Sequence, residues 1–157
     1  MLACIDPGKK LCGVALFSDR GYLLRAELVR ANDVVSLADA VADVVKKNRI
    51  ENRLALAYEM PQVYMSDPGK AKSLFPLALT DGAVAHALRP SEIIEYKPHD
   101  WKGSVDPDVM TKKIQTRWMT AADHKAVVMP SAKSLAHNIF DAIGIGIYHL
   151  RRLGVRQ

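Results

Sequence analysis

Apolar and polar positions along this chain follow two periods, and the change of period marks its elements. Leu2-Ala3-Cys4-Ile5 is a short apolar run that ends at Asp6 and the turn pair Pro7-Gly8. Leu11 to Ser18 is a second strand-like run, stopped by Asp19-Arg20-Gly21. Tyr22 to Val29 is a third, alternating at Leu24, Ala26 and Leu28. The short links between them suit an antiparallel meander. The period then changes. Val34, Val35, Ala38, Val41, Ala42 and Val45 recur at three and four, which predicts an amphipathic helix closed by Lys46-Lys47-Asn48. Arg53 to Glu59 is a fourth strand, ended by Met60-Pro61 and followed by a loop with Asp67-Pro68-Gly69. A helix from about Lys72 to Leu88 precedes a fifth strand, Glu92 to Tyr96. Beyond a polar, basic stretch to Val105, Asp106-Pro107 reads as an N-cap and first helical position, with the helix running to about Met119. A last helix runs from near Ser131 to about Leu153, with Gly154 after it. The order βββαβαβαα predicts an α/β fold, a mixed five-stranded sheet flanked by helices.

The 157 residues suit about one domain. Hydrophobic residues at 49% and charged residues at 25% argue against disorder and against a fibrous chain. No apolar run has the ~18 residues of a membrane helix, and no signal-like segment opens the sequence, so a cytoplasmic location is expected. Cys4 and Cys12 lack the spacing of a disulfide framework or a zinc site and read as buried thiols. Lys and Arg number 22 against 17 Asp and Glu, a net charge of +5 that favours a polyanionic partner such as nucleic acid.

Three acids stand out because each closes or interrupts an apolar element. Asp6 ends the first strand and Glu59 the fourth. A crossover connection makes those strands parallel, so their C-terminal ends bring both carboxylates to the sheet edge where open α/β sheets bind ligands. Asp141 lies in the apolar last helix, with His137 four residues and Asn138 three residues before it on roughly the same face. Gly144 and Gly146 fit a helix packed closely on the sheet. Singly, each acid also reads as a turn residue, a solvated strand end or half of an ion pair. Together they form a hard-oxygen set suited to Mg²⁺ or Mn²⁺ rather than zinc.

CIDPGKKLCGVALF, LALAYEMP and HNIFDAIGIGIYH resemble the RuvC-type Holliday junction resolvases of the ribonuclease H-like superfamily, including short phage-type members. LFPLALTDGAVAHAL is similar to that family's dimerisation helix, and KPHDWKGSVDPDVMTKKIQTRW to its basic substrate-facing segment. The resemblance spans nearly the whole chain, 1–157, as one ribonuclease H-like nuclease domain. It implies four metal ligands holding two Mg²⁺, with Mn²⁺ as a substitute. Asp6, Glu59 and Asp141 match three of them. Asn138 stands at the fourth position, where the family has an Asp or His, and His137 is the alternative. It further implies a homodimer through the helix near 72–88, and paired nicks in four-way DNA leaving 5′-phosphate and 3′-hydroxyl ends, a recombination and repair activity.

DNA-binding candidates are Lys9 and Lys10 beside the Asp6 turn, Tyr64 as a base-stacking aromatic, and Lys102, Lys112 and Lys113 in the basic segment. For any single lysine a solvated surface is the plain alternative. Trp101 and Trp118 are left open between core and interface. Three further readings stay open: a broader flap, fork or RNA–DNA hybrid nuclease, a junction-binding protein that does not cut, and an actin-like or sugar-kinase relative.

Overall fold

The computed structural model describes residues 1–48, 53–61 and 71–156. Strands β1 (Leu2–Pro7), β2 (Leu11–Phe17) and β3 (Leu23–Arg30) form the expected antiparallel meander. Helix α1 (Val34–Asn48) crosses to β4 (Ala55–Glu59), and α2 (Ala71–Leu88) crosses to β5 (Glu92–Tyr96). Both crossovers give parallel pairing, so the five-stranded sheet runs β3-β2-β1-β4-β5. β1 is the central strand.

Alternation along the strands sorts side chains onto two faces. Ala3, Ile5, Cys12, Val14, Leu16, Leu56 and Tyr58 pack under α1 and α2. Leu2, Cys4, Ala15, Phe17 and Ala57 pack under α6 (Ala136–Arg152). Both cysteines are buried and unpaired, as expected.

The second half departs from the sequence expectation in detail. A short helix, α3 (Pro98–Trp101), occupies the start of the basic stretch. The helix expected from Asp106 to about Met119 is α4 (Pro107–Lys113), which slips into π-helical turns over Ile114–Trp118. The Asp106 cap is present, its carboxylate accepting from the Asp108 and Val109 backbone. Another short helix, α5 (Ala121–Lys125), carries a capping box between Thr120 and Asp123. The final helix begins at Ala136, after a 3₁₀ turn over Lys133–Leu135, rather than near Ser131. Neither the 3₁₀ turn nor α6 has a side-chain N-cap, and α6 is anchored by burial of Ala136, Ile139 and Phe140.

One backbone approach sets how deeply α6 sits. Gly13 on β2 is the register partner of Asp6. A Cβ on Gly13 would lie 1.9 Å from the Asn138 carbonyl oxygen. Only glycine therefore lets α6 rest directly on the sheet beside Asp6. Gly144 and Gly146 serve the same helix differently. They make room for the Trp101 and Phe17 rings, each of which a Cβ would meet at 2.5 Å or less.

Candidate active site

Register places the three acids together. Asp6 shares its sheet face with Leu2 and Cys4, and Glu59 shares that face with Ala57, so both point to the α6 side. Asp141 lies one helical turn beyond Asn138, the residue that touches Gly13. Their proximity is electrostatic as well as geometric. Burial, then the charges of Asp141 and Glu59, hold the Asp6 carboxyl well above its usual range. Asp141 is likewise raised, by burial first, with Glu59 adding to it and Lys102 opposing it. Three like charges packed this way demand a cation.

Within the protein that cation is Lys102. Its Nζ lies 2.8 Å from Glu59 Oε2 and 3.5 Å from Asp141 Oδ2. Burial works against its charge, but Asp141, Glu59 and Asp6 outweigh burial and raise its pKa. The Trp101 indole Nε1–H donates to the same Glu59 oxygen at 2.8 Å. Trp101 is 5% exposed, and its ring lies 4.9 Å from the Lys102 ammonium. The short α3 thus delivers two adjacent residues to the acid site. The sequence left Trp101 undecided. Its signal, a buried indole that needs an acceptor, has no reading until Glu59 is brought in from 42 positions away.

His137 is exposed, and its Nδ1 is 2.8 Å from the Ser134 carbonyl oxygen. A carbonyl only accepts, so His137 Nδ1–H donates to it and Nε2 is the ring nitrogen left for a ligand. Asn138 turns its amide back to donate to the Leu135 carbonyl at 3.1 Å, leaving its side-chain oxygen uncommitted. Among the described residues, no three His, Cys, Asp or Glu side chains form a ready-made metal cage. The donor chemistry fits a hard divalent ion all the same. Three carboxylates repel one another around a spot already taken by a positive charge.

Lys9 and Lys10 are exposed on the turn after β1, at the same sheet edge. The Lys10 carbonyl accepts from Ala31 N–H at 3.1 Å, which brings Arg30 alongside. Arg30, just past the third strand expected from sequence, carries no signal of its own there. Lys112 is exposed on α4, while Lys113 stands over the Trp118 ring at 5.2 Å. Tyr64 and the Asp67-Pro68-Gly69 turn lie outside the described residues.

A further acid was missed. Asp81 on α2 is 4% exposed, and neither of its side-chain oxygens has a hydrogen-bond partner among the described residues. Burial, then the charge of Glu95, lifts it to about 8. It belongs to the helix that packs on the opposite sheet face, where Tyr58 donates to Glu95 at 2.6 Å. Its sequence signal was the one that drew attention to Asp141: a lone carboxylate inside an apolar helix.

No protein-family model matches the chain, and no curated protein matches it. Solved structures do match. A T. thermophilus RuvC in complex with Holliday junction substrate aligns with a TM-score of 0.64 at 21% identity, covering 99% of this chain and 97% of that one. A Thermus thermophilus RuvC structure aligns with a TM-score of 0.60 at 22% identity, covering 99% and 98%. The yeast mitochondrial Holliday junction resolvase Ydc2 aligns with a TM-score of 0.53 at 9% identity, covering 98% of this chain and 80% of that one. The chain therefore has the ribonuclease H-like fold of these RuvC and resolvase structures, from its first strand to its last helix.

Proposed function

We propose that this chain is a divalent-metal-dependent endonuclease that resolves four-way DNA junctions as a homodimer. The observation that carries the reading is the convergence of Asp6, Glu59 and Asp141 at one sheet edge, electrostatically coupled and bridged by Lys102. The fold shared with a RuvC bound to Holliday junction substrate supports the choice of substrate.

Asp6, Glu59 and Asp141 would hold the two ions. His137 Nε2 or the Asn138 carbonyl oxygen would complete the set. Mg²⁺ or Mn²⁺ bound there supplies the Lewis acidity that makes water a nucleophile at neutral pH and stabilises the departing 3′ oxygen. The residues do the rest. Trp101 fixes one Glu59 oxygen, so that the carboxylate keeps its orientation. His137, tethered through Nδ1, can accept a proton at Nε2. Lys9 and Lys10 flank the edge and Lys112 is exposed on α4, positions that would suit phosphates rather than base edges.

Helix α2 would supply the dimer contact. Phe75 is 68% exposed and Leu79 51% exposed. They lie on one stripe with Ala78 and Gly82, and no described residue stands within 4 Å of a Cβ at Gly82. An apolar stripe with a small-residue gap suits close contact with a second copy. Two sites related by a two-fold axis suit two strands of like polarity.

Asn138 favours a second reading. A neutral amide at the fourth ligand position, half engaged with Leu135, weakens the ion site and is compatible with a protein that holds junctions without cutting them. Cleavage of end-labelled four-way, fork, flap and linear DNA with Mg²⁺, Mn²⁺ or EDTA separates the cases, with Asp6→Asn as control. Paired nicks confined to the junction, absent with EDTA and in Asp6→Asn, are expected. Forks and flaps cut at similar rates would mark a broader debranching nuclease. Tight binding with no nicking in either metal would sink the enzyme reading.

A further inference from the structure

We infer that Lys102 is a tethered stand-in cation that fills the acid site of the metal-free protein, leaves when a divalent ion binds, and is thereby released onto DNA phosphate. The inference rests on the metal-dependent reading above.

Lys102 is held inward from three sides. Glu59 and Asp141 grip its ammonium at 2.8 and 3.5 Å, and the Trp101 ring backs it at 4.9 Å. Its side chain is only 22% exposed, close to the 18% of Glu59 and 15% of Asp141. A lysine that served only as a phosphate contact would keep its strongly hydrated ammonium in water. This one instead spends its charge where the three carboxylates repel one another.

The arrangement cannot coexist with a bound ion. A divalent cation taking oxygens from Glu59 and Asp141 would lie within a few ångströms of the ammonium, and such like charges repel strongly in a partly buried site. Exchange is mechanically easy. Lys102 is the residue after the four-residue α3, followed by Gly103 at φ +63, where no described residue lies within 4 Å of a Cβ. The side chain has four rotatable bonds and can turn outward without moving the strands. Once out, it stands beside the phosphate that the site must receive. Binding of the ion and readiness for phosphate become one event, and the metal-free protein is short of one phosphate contact.

The test needs no cleavage. Mn²⁺ is titrated calorimetrically, without DNA, into the wild-type protein and Lys102→Met. Lysine acetylation is followed by mass spectrometry with and without Mn²⁺. Lys102→Met is expected to bind Mn²⁺ about tenfold more tightly, the scale of removing one nearby charge in a partly screened site. Wild-type Lys102 is expected to acetylate slowly without Mn²⁺ and several-fold faster with it, a change absent in Asp6→Asn. If Lys102→Met does not fold, the acetylation result decides alone. Equal Mn²⁺ affinity in both proteins, with acetylation unmoved by the ion, would overturn the exchange while leaving the metal reading intact. Absence of Mn²⁺ binding in either protein would remove the metal reading and the exchange with it.

Discussion

Glu59 Oε2 serves two donors, the Trp101 indole and the Lys102 ammonium. Removing one leaves the other to set the carboxylate's direction. Trp101→Phe removes the indole N–H together with the benzo-ring atoms that pack against Gly144. It is expected to cost ~2–3 kcal/mol in urea unfolding, from the lost hydrogen bond and the cavity it leaves, and to lower the rate of nicking while leaving junction affinity unchanged by gel shift. Asp81 poses the opposite case, a carboxyl with no donor among the described residues. Burial, then Glu95, raises it to about 8 in the folded chain, whereas an unfolded Asp titrates near ~3.9. The folded state therefore retains a proton that the unfolded state has released. That contribution is whole below the unfolded value, declines as pH rises, and is gone once pH passes through about 8. Asp81→Asn deletes the titration. It is expected to be more stable than the wild type at pH 8 by ~1–3 kcal/mol, with little difference at pH 4, as measured by urea denaturation at both values. Asp123 shows the compensated form. It is buried, yet its ion pair with Arg156 and the Thr120 donors hold its pKa below the usual range against the effect of burial. Arg156→Ala is expected to destabilise the fold by ~3 kcal/mol.

At the scale of elements, α2 has two allegiances. Thr80 and Asp81 are buried, and Thr80 donates to the Gly8 carbonyl at 3.1 Å beside the Asp6 turn. The far side shows Phe75 and Leu79 to solvent. Leu79→Asp is expected to keep the fold and convert a dimer to a monomer by sedimentation, halving the sites on one junction. An unchanged sedimentation coefficient for a dimeric wild type would place the contact elsewhere. The strands and long helices were legible because each side chain obeys a local period. Ala26 and Leu28 alternate onto the α6 face, although the bulge opposite Leu16 and Phe17 turns Leu24 to the other face against the expected alternation, and Ala38, Val41, Ala42 and Val45 recur every three or four residues. The slip into π-turns at Ile114 and the delayed start of α6 were not legible. Both depend on burial against residues remote in sequence, Ile114 against α6 beside Gly144 at one and Ala136 in the same core at the other. Asp6, Glu59 and Asp141 stood out because a charge that ends or interrupts an apolar run has few uses. The inward turn of Lys102 was hidden, since a lysine in a basic stretch looks like surface until two remote acids are placed around it.

Across the whole molecule, positive charge and the acid site share an edge but differ in reach. Lys9, Lys10, Arg30 and Lys112 are exposed, whereas Asp6, Glu59 and Asp141 are partly enclosed. A long polyanion therefore meets cations first and carboxylates last. Junction affinity should fall steeply with salt, and Lys112→Ala should reduce the log–log slope by ~0.9 if that lysine neutralises one phosphate. Fluorescence anisotropy on a labelled junction from about 50 to 200 mM salt reads this directly.

The seat of α6 on β2 has a consequence for the gene. At Gly13 a methyl group has no place, because the Asn138 backbone is already there. Every missense change in that codon adds at least a Cβ, so no conservative neighbour exists for drift or selection to sample. The hydrophobic positions around it can trade volumes with one another. This one cannot, and the pose of Asp141, one turn further along the same helix, is inherited through a residue with no side chain of its own.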